Sequence, residues 1–332
     1  MKRIYTTLWV IILILTSSGC TANETESKDT LFKLSYASVP AIVEAPAHVA
    51  YQKDIFAEKG LDVTLEINPD GKTSLEHLFD GSVDIAAVMG TPVVYSSFER
   101  DDFTIIATME HDKIHYALAR KDHGIEKASD LVGKRAAVMQ GTSGHFFMDS
   151  YLAMNKLSRS DLDIVEMNAP EAVEAIVNNE IDAMFYWSPF PLIAKTALGD
   201  KGIILECDNI VPASWVIVTK RSFAAQHSDV LKSFLRAVDS GTNYIENHPE
   251  ESVRIYSDIS GVELDIAETL FQNMSFNLSL KQALLLDLEN QARWAMMYGY
   301  TEADNVPNYL DMIYPDALLS VKPENVTLIS EK

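Results

Sequence analysis

From Leu31 onward the chain alternates short apolar runs with amphipathic stretches of helical period, and few architectures accommodate that rhythm. "FKLSYAS" reads as a strand. "APAHVAYQKDIFAEKG" reads as a helix with Pro46 in its first turn and Gly60 as its stop, and "LDVTLEIN" as the next strand. The beat repeats through "TSLEHLFDG", "VDIAAVMG", "TPVVYSSFER" and "FTIIATME". Strands that alternate with helices are the mark of βαβ units around a mostly parallel sheet.

A second set of such units runs from "KASDLVGKRAAVMQGTSGHFF" to "GIILECDN". "ASWVIVTKRSFAAQ" then reads as a strand returning to the first set, followed by a largely helical remainder from Ser228 to about Leu310. With 332 residues the chain exceeds what one core comfortably serves. The expectation is an α/β protein of two lobes, each a mixed sheet flanked by helices, with a cleft between them. Lobe 1 takes residues 31–118 and 216–332 and lobe 2 residues 119–215, with strand crossings near His115 to Lys121 and Pro212 to Lys220.

The first thirty residues set the compartment. "MKR" is a positive n-region, "LWVIILIL" an apolar stretch too short to span a bilayer, and "TSSGC" ends on Cys20. This is the pattern of a signal peptide over residues 1–19. Gly19-Cys20 resembles a bacterial lipobox, with Ser17 where a leucine is usual, so Cys20 is the expected site of a diacylglyceryl anchor. Cys207 is the sole other cysteine, which leaves an anchored domain no intramolecular disulfide. Residues 20–30 are polar and lack apolar periodicity, as a flexible tether would. A formal charge of −21 argues against nucleic acid and against any broad basic face. An anion would have to be bound locally.

"VMQGTSGHFF" is the clearest local site. A strand ends, and a helix starts near Thr142 or Ser143, with first-turn N–H groups that have no helical partner and carry partial positive charge. Gly141 and Gly144 allow close backbone approach, so a polar or anionic head fits the turn without a cationic side chain. The plainer reading of the same hydroxyls is helix capping. "MGTP" and "PAIVEAPAH" are two further helix starts that follow strands and can face the same cleft, where open α/β sheets bind ligands. "DAMFYWSPFPLIA" crowds Tyr186, Trp187 and Phe190 around a strand end. Trp187 reads as a pocket wall, with Trp215 at the second crossing and Phe146 or Tyr95 opposite; core packing accounts for such rings equally well elsewhere.

Four stretches in order, "IFAEKGLDV", "HLFDGSVDIAAVMGTP", "DLVGKRAAVMQGTSGH" and "NNEIDAMFYWSPF", resemble the solute-binding lipoproteins of ABC importers for aliphatic sulfonates, taurine, nitrate and thiamine-type pyrimidines. The resemblance runs from about Leu34 to Ala225. It implies a type II periplasmic-binding-protein fold, and ligand contacts at Ser38, Pro40, Ala41, Ile42, Gly90, Thr91, Gly141, Thr142, Ser143, His145, Trp187 and Trp215. Relatives often carry an acidic residue after the tryptophan, where this chain has Ser188, so no contact through that acid transfers.

The resemblance further implies a monomeric, exported, membrane-anchored receptor with a sulfonate or pyrimidine-like ligand, a permease and an ATPase as partners, and no cofactor or metal. A ligand-sensing subunit of a signalling system is the alternative. Enzyme readings fare poorly: the chain has no G-x-S-x-G elbow, no H-E-x-x-H pair and no metal-spaced cysteines. The related fungal pyrimidine-synthesis enzymes use a histidine with a cysteine-rich stretch that is missing here.

Overall fold

The computed structural model describes residues 31–110, 113–207, 214–272 and 274–329. The signal peptide, tether and Cys20 expected from the sequence lie outside the described residues. The chain opens with β1 (Phe32–Ser38), a 3-10 turn at Ile42–Glu44, α1 (Ala45–Gln52), α2 (Ile55–Glu58), β2 (Leu61–Ile67), α3 (Gly71–Asp80), β3 (Ile85–Met89), α4 (Gly90–Ser97) and β4 (Phe103–Glu110). Local chemistry sets these limits. The Asp70 carboxylate accepts the Thr73 N–H at 2.9 Å to cap α3, and Gly81, at φ 88°, ends that helix in the left-handed region.

The second group comprises β5 (His115–Arg120), β6 (Arg135–Val138), α5 (Ser143–Met154), β7 (Asp163–Glu166), α6 (Ala169–Val177), β8 (Ala183–Trp187), α7 (Phe190–Leu198) and β9 (Gly202–Leu205). The return brings β10 (Trp215–Lys220), α8 (Arg221–Gln226), α9 (Ser228–Asn247), α10 (Pro249–Ser260), α11 (Leu264–Gln272), β11 (Asn277–Lys281), α12 (Gln282–Met297), α13 (Asp316–Val321) and β12 (Val326–Thr327). None of the described helices is long and apolar enough to cross a membrane.

Two mixed sheets result. The larger has the order β12-β11-β4-β10-β3-β1-β2 and the smaller β7-β6-β8-β5-β9. β10 inserts antiparallel between β3 and β4, placing Trp215 opposite Met89. The chain changes sheets after Glu110 and again after Leu205, so β5 hydrogen-bonds along its length inside the smaller sheet, antiparallel to β8 and β9. β11 corrects the expectation of a helical pattern from Ser228 to about Leu310. "NLSLK" is short and flanked by helices, and its pairing partner β4 lies far away in sequence.

The larger sheet carries one core, in which α1, α9 and α12 pack. The smaller sheet is buried on both faces, as its continuous apolar strand β8 requires. Phe185 faces Phe147, Met148 and Tyr151 of α5, whereas Met184 and Tyr186 face Ala172 and Ile176 of α6 and Ala194 and Leu198 of α7. The lobes touch through Phe146, Leu192 and Ile193, which join the core around the larger sheet.

Candidate functional site

On the larger lobe, β1 ends at Ser38, fully buried. Its hydroxyl donates to Glu44 Oε2 at 2.6 Å and lies 3.0 Å from His48 Nε2. The same carboxylate accepts the Tyr36 hydroxyl and, through Oε1, the Trp215 indole N–H at 2.7 Å. Glu44 therefore ties β1, the first helical turn and β10 together. Burial raises its pKa, against the opposing pull of these three donors. Burial also lowers the pKa of His48 to about 3, so the ring is neutral. Pro40 is partly buried, its carbonyl accepting from Tyr256 at 3.1 Å, and Ala41 and Ile42 are buried.

Gly90 and Thr91 start α4 against α12. The Gly90 N–H donates to the Ser214 carbonyl at 2.7 Å, and the Thr91 hydroxyl donates to Gln291 Oε1 at 2.5 Å. Gln291 in turn donates to Asp287 Oδ1 at 2.9 Å, while Asp287 Oδ2 accepts the Ser214 N–H at 2.7 Å. A side chain at Gly90 would press within 3.0 Å of Leu288 and 3.2 Å of Gln291. Glycine is what the close approach of α12 requires there.

On the smaller lobe the turn before α5 is built by Gly141, at φ +74°. The Thr142 hydroxyl donates back to the Met139 carbonyl at 2.6 Å, and the Ser143 hydroxyl lies 2.8 Å from His115 Nε2. His145 is buried against Trp294 and Tyr300, and its Nδ1 accepts the Gly141 N–H at 3.4 Å. Burial, and then the Arg159 charge, lower its pKa to about 3. Trp187 packs beside Tyr186 and Phe190 and close to Gly144, where an added Cβ would sit 2.8 Å from the Phe185 carbonyl and 3.5 Å from the Trp187 ring. The Ser188 hydroxyl and N–H both donate to the Ile114 carbonyl, so this side chain is engaged by the chain just before β5.

Neither sequence reading of the hydroxyls describes these contacts. Thr142 and Ser143 neither cap α5 nor stand free; they brace the turn from behind, as Thr91 and Ser38 do on the larger lobe. The Trp215 N–H is likewise spent on Glu44. The starts of the 3-10 turn at Ile42, of α4 and of α5 carry no side-chain cap, as is general among the described α-helices apart from α3 and α6, capped by Asp70 and Asn168, and at α4 the Gly90 N–H is already taken by Ser214. Backbone N–H groups at helix starts and aromatic faces are thus the chemistry available to a solute.

Two serine–histidine pairs, Ser38–His48 and Ser143–His115, are at bonding distance, yet both hydroxyls are buried. Ser38 also donates to Glu44, and His48 Nδ1 has no partner among the described residues to orient it, so this pair lacks there the third group of a nucleophile relay. A pocket of about 470 Å3 spans the two lobes, with Pro92 and Tyr95 on one side and Gly141, His145 and Glu166 on the other. Of the residues expected from sequence, Tyr95, Gly141 and His145 line it.

Sequence reasoning missed Glu44, His115, Asp287 and Gln291. Glu44 had one signal, as a lone carboxylate in the apolar run "AIVEAPAHVA". Asp287, Gln291 and Trp294 had another, as groups spaced four and three apart on a helix face that is otherwise Leu and Ala.

The profile of a family described as NMT1/THI5 like matches residues 42–252. A putative aliphatic sulfonates-binding protein of Bacillus subtilis (strain 168) is 26% identical over 280 residues, which cover 82% of this chain and 83% of that protein. The taurine-binding periplasmic protein of Escherichia coli (strain K12) is 27% identical over 209 residues, covering 61% of this chain and 64% of that protein. Among solved structures, the alkanesulfonate-binding protein SsuA from Xanthomonas axonopodis pv. citri bound to MOPS superposes with a TM-score of 0.75 at 17% identity, covering 85% of this chain and 98% of SsuA. The periplasmic nitrate-binding protein NrtA from Synechocystis PCC 6803 superposes at 0.71 with 15% identity, over 89% of each chain. The desulfurization enzyme DSZB shares the fold at 0.64 with 13% identity, over 88% of this chain and 99% of the enzyme. The fold expected from the sequence, two mixed sheets in a periplasmic-binding-protein arrangement, is the one observed.

Proposed function

The chain belongs to the NMT1/THI5-like family, and we propose that it is the solute-binding component of an ABC import system, capturing a small sulfonate or pyrimidine-like molecule between its lobes. One observation carries the reading: a pocket of about 470 Å3 is lined from both lobes, by Pro92 and Tyr95 at α4 on one and by Gly141 and His145 at the start of α5 on the other. Contacts shared between lobes favour the closed form alone, so a ligand shifts the balance between open and closed. The names of the sulfonate- and taurine-binding relatives support the ligand class, and a permease with its ATPase would receive the closed form. The relatives support binding over catalysis. Ser38 to Ile42, Gly90, Thr91, Gly141 to Ser143, His145, Trp187 and Trp215 form the proposed ligand wall.

A thermal-shift panel of taurine, an alkanesulfonate, nitrate and an aminopyrimidine tests this, because a ligand at a hundred times its Kd stabilises by about 2.7 kcal/mol. Against the solute so found, Trp187→Ala should weaken binding by roughly 1–3 kcal/mol in calorimetry. Thr142→Ala should weaken it as well, by releasing the Met139 turn. Unchanged affinity in both variants would move the site elsewhere.

The anchor is a second expectation of the same reading. Cys20→Ala should shift the protein from the membrane fraction to the soluble one and remove a lipid-sized increment of mass. Retention of the variant on the membrane, with no such increment in the parent protein, would exclude lipidation at Cys20.

A further inference from the structure

One face of α12 meets three parts of the molecule. Asp287 takes the Ser214 N–H at the return into the larger sheet, Gln291 takes the Thr91 hydroxyl, and the Trp294 indole donates to Asp149 Oδ2 on α5 at 3.0 Å. Asp149 is 3% exposed. It also accepts the Tyr300 hydroxyl at 3.1 Å, lies 3.3 Å from Arg159 Nε and 3.9 Å from His145 Nε2. Arg159 reaches the Tyr300 hydroxyl as well. Asp149, His145 and Arg159 belong to the smaller lobe; Trp294 and Tyr300 come after the return to the larger one. The result is a polar seam between the lobes, centred nearly two helical turns past Ser143.

The seam is incompletely bonded. Asp149 Oδ1 and Arg159 Nε are buried and face each other at 3.3 Å as an ion pair outside hydrogen-bond geometry, and the buried His145 Nε2, 3.9 Å from Asp149 Oδ2, has no hydrogen-bond partner among the described residues. Buried polar atoms are costly unless they are bonded, so a relative rotation of the lobes that withdraws the Trp294 and Tyr300 donors leaves the buried Asp149 carboxylate short of two partners.

We propose that Trp294 and Tyr300 are positioning residues for solute capture, latching α5 to the larger lobe through Asp149. α12 links this latch to the start of α4, because the helix that carries Trp294 also holds Thr91 through Gln291. The proposal rests on the chain being a two-lobed receptor.

Electron–electron distance measurements test it on the full chain without any solute. Spin labels are placed at Glu58→Cys on α2 and Glu174→Cys on α6, both exposed, with Cys20→Ala and Cys207→Ala as background. Trp294→Phe and Tyr300→Phe each remove one donor and keep a ring in place. Each should raise the ratio of long-distance to short-distance species about tenfold, the change expected on losing a hydrogen bond to a carboxylate. Tyr298→Phe, which alters a neighbouring ring stacked on Tyr300, should leave the ratio unchanged. Distance distributions identical to the parent in both Trp294→Phe and Tyr300→Phe would overturn the latch. A parent distribution that no solute of the thermal-shift panel moves would instead count against the receptor reading, while the solute-free ratios still judge the latch.

Discussion

Gly241→Ala should destabilise the protein by more than about 3 kcal/mol, a large cost for adding one methyl group. Gly241 lies mid-way along α9, where alanine would ordinarily be favoured by about 1 kcal/mol. Here α1 crosses so closely that a Cβ would stand 2.0 Å from the Pro46 carbonyl oxygen and 2.9 Å from its carbon. Both are backbone atoms and cannot turn aside. The two helices would have to separate, and α1 would carry with it the 3-10 turn that ends in Glu44. Urea or thermal unfolding of the variant measures the cost, and Gly60→Ala supplies the comparison. Gly60 has φ +85° with open space around its Cβ position, so alanine there meets only the left-handed strain of roughly 1–2 kcal/mol. Equal losses in the two variants would show that the α1–α9 contact yields easily.

What the sequence disclosed, and what it withheld, divides by range of interaction. β1 and β8 were legible because period-two or continuous apolar runs, each followed closely by a proline, are decided locally. α5 was legible for the same reason, down to the glycine at 141 that its entry turn requires. The partners of the hydroxyls were not. Thr91 meets Gln291 two hundred positions away, and the Glu44 carboxylate meets an indole 171 positions on. Ser143 could as well have capped its own helix; the arrival of His115 from β5 decides against it. Local pattern identifies a helix start as a place where chemistry can happen. Which atoms remain for a ligand there depends on what other elements claim first.

Glu44→Ala should cost about 3–5 kcal/mol, because it strands donors from two separate strands. Tyr36 and the Trp215 indole lose their acceptor outright, whereas Ser38 keeps His48 Nε2 at 3.0 Å. Glu44→Gln retains a carbonyl oxygen of the same reach and should lose much less. The pair also separates charge from shape. Burial holds the Glu44 pKa above its ordinary value, so from the unfolded carboxyl pKa, near 4.3, up to the raised folded value the native state binds more protons than the unfolded one. Stability contributed by this group is therefore complete below the unfolded pKa and is lost as pH rises through the folded one. The difference in unfolding free energy between parent and Glu44→Gln should accordingly shift in favour of the glutamine variant as pH rises through that window. It should then stay level at higher pH. Glu44→Ala should remain the least stable of the three throughout, and should bind the solute more weakly because Trp215 and the loop after β1 are no longer tied together. Urea titrations of all three proteins at several pH values decide this. An alanine variant within about 1 kcal/mol of the parent would mean that Tyr36 and Trp215 find other acceptors, and that Glu44 does not hold this side of the cleft in place.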